Sequence, residues 1–78
     1  MEARLARDWN AEWQQIANEE NEAWSARMEA MAGLTVAFAG NGTPTEDVLD
    51  KLDEADQRVE DARAIRQKFI NDYRASQP

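Results

Sequence analysis

Ala39-Gly40-Asn41-Gly42-Thr43-Pro44-Thr45-Glu46 ends one helical pattern and begins another, and it contains two of the three glycines and one of the two prolines in the chain. Gly40 or Gly42 can take the left-handed conformation that closes a helix C-terminus. Thr43-Pro44-Thr45-Glu46 has the form of a capping box. The Thr43 hydroxyl would accept from the third helical N–H, Pro44 would occupy the first helical position, and Glu46 would reach back to the cap. A stop signal followed directly by a start signal predicts a turn between two helices.

On the N-terminal side no proline interrupts the chain from Glu2 to Phe38, and Gly33 is the one internal glycine. Leu5, Trp9, Trp13, Ile16, Trp24, Met28, Met31, Thr35 and Phe38 recur at spacings of mostly three and four, as an amphipathic helix requires. The stripe is interrupted at Asn18-Glu19-Glu20-Asn21-Glu22, where Glu20 takes an apolar place; the eleven-residue steps Leu5 to Ile16 and Trp13 to Trp24 suggest a local stutter. Gly33-Leu34-Thr35-Val36-Ala37-Phe38 is the weakest helical stretch, because glycine and β-branched residues are poor helix formers, and an extended piece beyond Met31 competes there.

On the C-terminal side Val48, Leu52, Ala55, Val59, Ala62, Arg66, Phe69 and Tyr73 follow an unbroken four-three repeat. Asp47 to Lys51 and Glu54 to Arg58 stand four apart in the favourable order for pairs within the helix. The expectation is therefore an all-α, coiled-coil-like antiparallel hairpin in a single domain over 1–78. Its first helix spans about 2–38, its turn about 39–44 and its second helix about 45–74, with a frayed tail over 75–78.

Folding the two stripes together sets Phe38 on Val48, Thr35 on Leu52, Met31 on Ala55, Met28 on Val59 and Trp24 on Ala62, large against small. The same register brings Glu20 to Arg66, so the polar exceptions of the two stripes meet as a pair that would fix register. Further out, Ile16 falls near Phe69 and Trp13 near Tyr73, while Trp9 and Leu5 run past the end of the second helix. Leu34, Leu49, Ile65 and Ile70 widen the apolar surface beyond what one partner helix covers, which points to a dimeric four-helix bundle.

Composition narrows the function. A chain of 78 residues without cysteine or histidine has no disulfide and none of the usual zinc ligands, so self-association or a partner is the expected source of its stability. No cofactor or metal site is expected. The carboxylates of Asp50-Lys51-Leu52-Asp53-Glu54-Ala55-Asp56 lack the central glycine and closing glutamate of a calcium loop. Ser25 and Ser76 have no evident base, so an enzyme is not expected.

The net charge of −7 is uneven: residues 46–61 hold eight acids against Lys51 and Arg58, whereas residues 62–78 hold only Asp72 against four bases. Direct nucleic-acid binding needs a basic stripe and is not expected. Nor is a membrane span, since no apolar run is long enough; a cytoplasmic protein is expected. Two surfaces suggest a protein partner. Leu5, Trp9 and Trp13 form an aromatic end, and Asp47, Asp50, Asp53, Glu54, Glu60 and Asp61 form an acidic face suited to a basic surface.

The shape is similar to short acidic hairpins among phage-encoded inhibitors of host proteins, secretion needle subunits with their chaperones, and phage assembly factors. Their sequence signatures are not matched: needle subunits would carry Pro-x-x-Pro where this turn is Gly-Asn-Gly-Thr-Pro-Thr, and the WXG secreted hairpins would place Trp-x-Gly in the bend, from which Trp24 lies far. The expected function is a non-enzymatic adaptor or inhibitor, with a structural subunit or chaperone of a larger assembly as the alternative.

Overall fold

The computed structural model describes residues 7–77, which form two long helices packed against each other as an all-α hairpin. α1 runs over Trp9–Asn41 and α2 over Glu46–Ser76.

α1 starts later than expected, because Asp8 caps it. The Asp8 carboxylate accepts from the Ala11 N–H at 3.0 Å and its carbonyl accepts from the Glu12 N–H at 3.1 Å. Leu5 lies outside the described residues. Helix continues through Gly33 to Asn41, so the glycine and β-branched residues of 33–38 are helical after all. Within it the Thr35 hydroxyl donates back to the Met31 carbonyl at 3.1 Å, so that side chain meets its hydrogen bond inside the helix.

The stop falls on Gly42, whose φ of 93° is left-handed and whose N–H donates to the Ala37 carbonyl at 3.3 Å. Gly40 is an ordinary helical residue. The start signal is displaced from the expected one. Thr45, not Thr43, caps α2 by accepting from the Val48 N–H at 3.4 Å, and Pro44 precedes the cap instead of occupying the first helical position. Helix also extends through Ala75 and Ser76, which were expected to fray.

The seam of α2 is the predicted one: Ala55, Val59 and Ala62 are buried along it. The seam of α1 is not. Trp24, Met28, Met31 and Phe38 are exposed, Met28 by 68% and Phe38 by 59%. The four-three repeat begun by Trp9, Trp13 and Ile16 instead continues without a stutter through Glu20, Ala23, Arg27, Ala30, Leu34 and Ala37, which are buried or half-buried.

Alanines explain the choice. Ala23, Ala30 and Ala37 recur every seventh residue and face a seam that contains Ala55 and Ala62, so the two backbones can approach closely; a tryptophan or methionine in the same row would hold them apart. The register shifts with the seam. Ala23 packs with Val59 and Ala62 in the place expected for Trp24, Trp13 meets Phe69 rather than Tyr73, and Trp9 meets Tyr73.

Candidate interaction surfaces

Ion pairs fasten α1 to α2 over the part away from the turn, from Arg27 and Asp56 outward. The Arg58 guanidinium spans the helices to Glu19, with Nε to Oε2 at 2.8 Å and Nη2 to Oε1 at 3.0 Å, and reaches Glu22 at 3.3 Å. Its two-point bond holds the Glu19 carboxyl below its ordinary range and raises the arginine. Arg27 bonds Asp56 at 2.5 Å and lies 5.4 Å from the Trp24 ring centre. Glu20 and Arg66 meet at 3.2 Å, with the Glu20 side chain largely covered and that of Arg66 partly open to solvent.

Neither expected pair within α2 forms: Arg58 turns to α1 instead of Glu54, and Lys51 is not within 4.0 Å of Asp47. The intrahelical ion pair that does form on α2 is Lys68 with Asp72, at 3.0 Å.

The aromatic end folds inward. Trp9 stands edge-on to Phe69 and Tyr73, with ring centres 5.5 and 5.3 Å apart, and Trp13 tilts against Phe69 at 5.7 Å. Trp9 therefore does not run past α2 as expected, because the seam places it one turn further along. Arg7 lies 4.2 Å above the Trp9 ring, binds Glu12 through two bonds of 2.7 Å and reaches Asp72 at 3.2 Å. Hydrogen bonding to Arg7 lowers the Glu12 carboxyl; Lys68 first and Arg7 second lower that of Asp72. Only part of Trp13 and Tyr73 is left open to a partner.

On α2, Asp47, Asp50, Asp53, Glu54, Glu60 and Asp61 are exposed. Among the described residues none of the six has a cation within 4.0 Å; Asp61 accepts from the Gln57 amide at 2.9 Å. Among the described residues the face is thus acidic without a close ion-pair partner. Among the described residues no three acidic side chains cluster closely enough to hold a metal ion, and no helix is long and apolar enough to cross a membrane.

Two further surfaces come from the register of α1. Trp24, Met28, Met31, Thr35 and Phe38 form an exposed stripe with its own four-three spacing. On the other flank Ala26, Ala30, Gly33, Val48 and Ala55 floor a groove of about 510 Å³ between the helices, rimmed by Glu29, Lys51, Glu54 and Arg58. The alanine repeat of α1 was the sequence signal for both: once alanines occupy the seam, bulky neighbours must lie outside it. No family model, curated protein or solved structure matches the chain.

Proposed function

We propose that this chain is a non-enzymatic helical interaction module: a hairpin that associates with a second copy into a four-helix bundle and acts in the cytoplasm as a small acidic adaptor or inhibitor of another protein. The observation that carries the reading is the balance of the surfaces. Among the described residues the buried core consists of Ala23, Ala55, Val59 and Ala62, no large side chain is fully buried, and several large apolar residues remain exposed. So small a core is far below what sustains an isolated domain of this length, so the remaining burial is to come from association.

The exposed acids of α2 support a basic partner surface, since complementary charge speeds encounter and selects the partner. The test is a pull-down from the native host's lysate followed by reconstitution with the purified candidate. A discrete stoichiometric complex, weakened by salt and by Asp50→Lys, Asp53→Lys and Glu60→Lys together, supports the inhibitor reading. A complex indifferent to both refutes the role of the acidic face. The exposed stripe of α1 favours a second reading, a subunit of a larger assembly, which would polymerise or co-assemble irrespective of those charge reversals.

A further inference from the structure

We infer that the α1 stripe Trp24, Met28, Met31, Thr35 and Phe38 is the seam on which a second copy of this chain sits. The inference rests on the dimeric part of the reading above and assigns the surface that makes it.

Charge distribution singles out this part of the molecule. In a chain of net charge −7, residues 30–45 contain no charged side chain, and the stretch is bounded by Glu29 and Glu46. Met31, Thr35 and Phe38 lie within it, and on α1 the outward positions beside the stripe, Asn21, Ser25, Ala32 and Ala39, are small or neutral. Two like-charged copies can meet along this row without setting carboxylate against carboxylate, whereas contact through the acidic face of α2 would do so.

Geometry makes the row self-complementary. Met31 lies seven residues from both Trp24 and Phe38, so the stripe has its middle at Met31 and an aromatic ring at each end. A two-fold axis through Met31 packs the same patch on itself, as a closed dimer requires. An unrelated partner would need an apolar ridge of matching spacing; a second copy already has one.

Area sets the strength. Aromatic and methionine side chains left exposed to this extent present on the order of 500 Å² per chain, so a pair buries about 1000 Å², the lower end for a specific interface. A reversible dimer with micromolar dissociation is therefore expected, strengthened by salt because both copies are acidic. Salt weakens binding of the acidic face to a basic partner, so the two associations respond in opposite directions.

The experiment combines sedimentation of the unmodified chain with disulfide trapping, which the absence of native cysteine makes clean. From about 1 µM to about 1 mM the mass should rise from 8.9 kDa to twice that, and further at 1 M than at 0.1 M salt. Met31→Cys and Val36→Cys are then oxidised with glutathione disulfide. Val36 is 71% exposed but lies off the stripe, and neither residue is part of the hairpin core, so both variants should keep the helical circular dichroism. Trapping of Met31→Cys at least tenfold over Val36→Cys supports the seam. A dimer in which Val36→Cys traps as readily overturns the seam alone. A monomer throughout the concentration range overturns the seam and the dimer together, without touching the acidic-face reading.

Discussion

Arg58 of α2 grips Glu19 of α1 through two nearly parallel hydrogen bonds of 2.8 and 3.0 Å, although Glu54 stands one turn away on its own helix. A planar guanidinium gains more from a two-point carboxylate contact across the seam than from one exposed contact along its helix. The choice ties the hairpin together and leaves Glu54 to solvent.

Glu19→Gln is therefore expected to lower the melting temperature measurably, whereas Glu54→Gln leaves it unchanged. Arg58→Lys should resemble Glu19→Gln, because a lysine cannot reproduce the two-point geometry. Thermal melts of the three variants check this. An equal effect of Glu19→Gln and Glu54→Gln would mean that the cross-helix pair contributes nothing beyond an ordinary surface contact.

Acid should loosen the same fastenings. Glu12, Glu19 and Asp72 are held below their ordinary values of 4.5, 4.5 and 3.8 by hydrogen bonds to Arg7, Arg58 and Lys68, respectively. A carboxyl depressed in the folded state contributes stability above its unfolded value and loses it as pH falls through its folded one. Urea midpoints for the hairpin should thus be flat above about pH 5 and decline below about pH 4. Glu19→Gln should flatten part of that decline; an unchanged acid limb would exclude Glu19 as a contributor.

Much of this molecule was legible in its sequence. The glycine-proline stretch located the turn, the repeat from Val48 to Tyr73 marked the buried face of α2, and Glu20 and Arg66 do meet. The face of α1 was misread for a physical reason. Hydrophobic size points to Trp24, Met28 and Met31, whereas the unbroken period runs one position away through Ala23, Ala30 and Ala37. The start of α1 depends on Asp8 serving as a cap, which the helical pattern around it conceals, and spacing within α2 does not reveal that Arg58 has a better partner on α1.

The glycines divide by backbone conformation. Gly33 and Gly40 are helical, and an added Cβ at either would have no neighbour within 4 Å, so alanine there should stabilise the fold by up to about 1 kcal/mol. Gly42, with its φ of 93°, should respond oppositely, and alanine there should cost about 1 kcal/mol. Chemical denaturation of the three variants tests both signs. A stabilising Gly42→Ala would place the helix stop elsewhere.

Close approach of the helices makes the alanine seam sensitive to size. Ala62→Leu inserts three carbons where the side chain is 2% exposed and should cost about 1–3 kcal/mol through overpacking. Val59→Ala, at 4% exposure, should cost on the order of 2 kcal/mol through the space it empties. Met28→Ala empties no core space in the hairpin, so any loss of stability there should depend on protein concentration. If Ala62→Leu were neutral while Met28→Ala was costly at every concentration, the seam would run through Met28 instead.

The pair Glu20 and Arg66 separates stability from specificity. The two charges meet at 3.2 Å within rows that are otherwise mostly apolar, so leucine at both positions exchanges a partly covered ion pair for apolar contact. The double variant should melt at the same temperature or higher. A polar layer in a helical seam penalises registers that leave it unpaired, so its removal should also broaden the distribution of oligomers. Sedimentation velocity on the double variant reads the distribution and circular dichroism reads the melt. Unfolding of the variant would mean that the pair is required for the fold itself, and an unaltered single species would show that the alanine seam sets register without it.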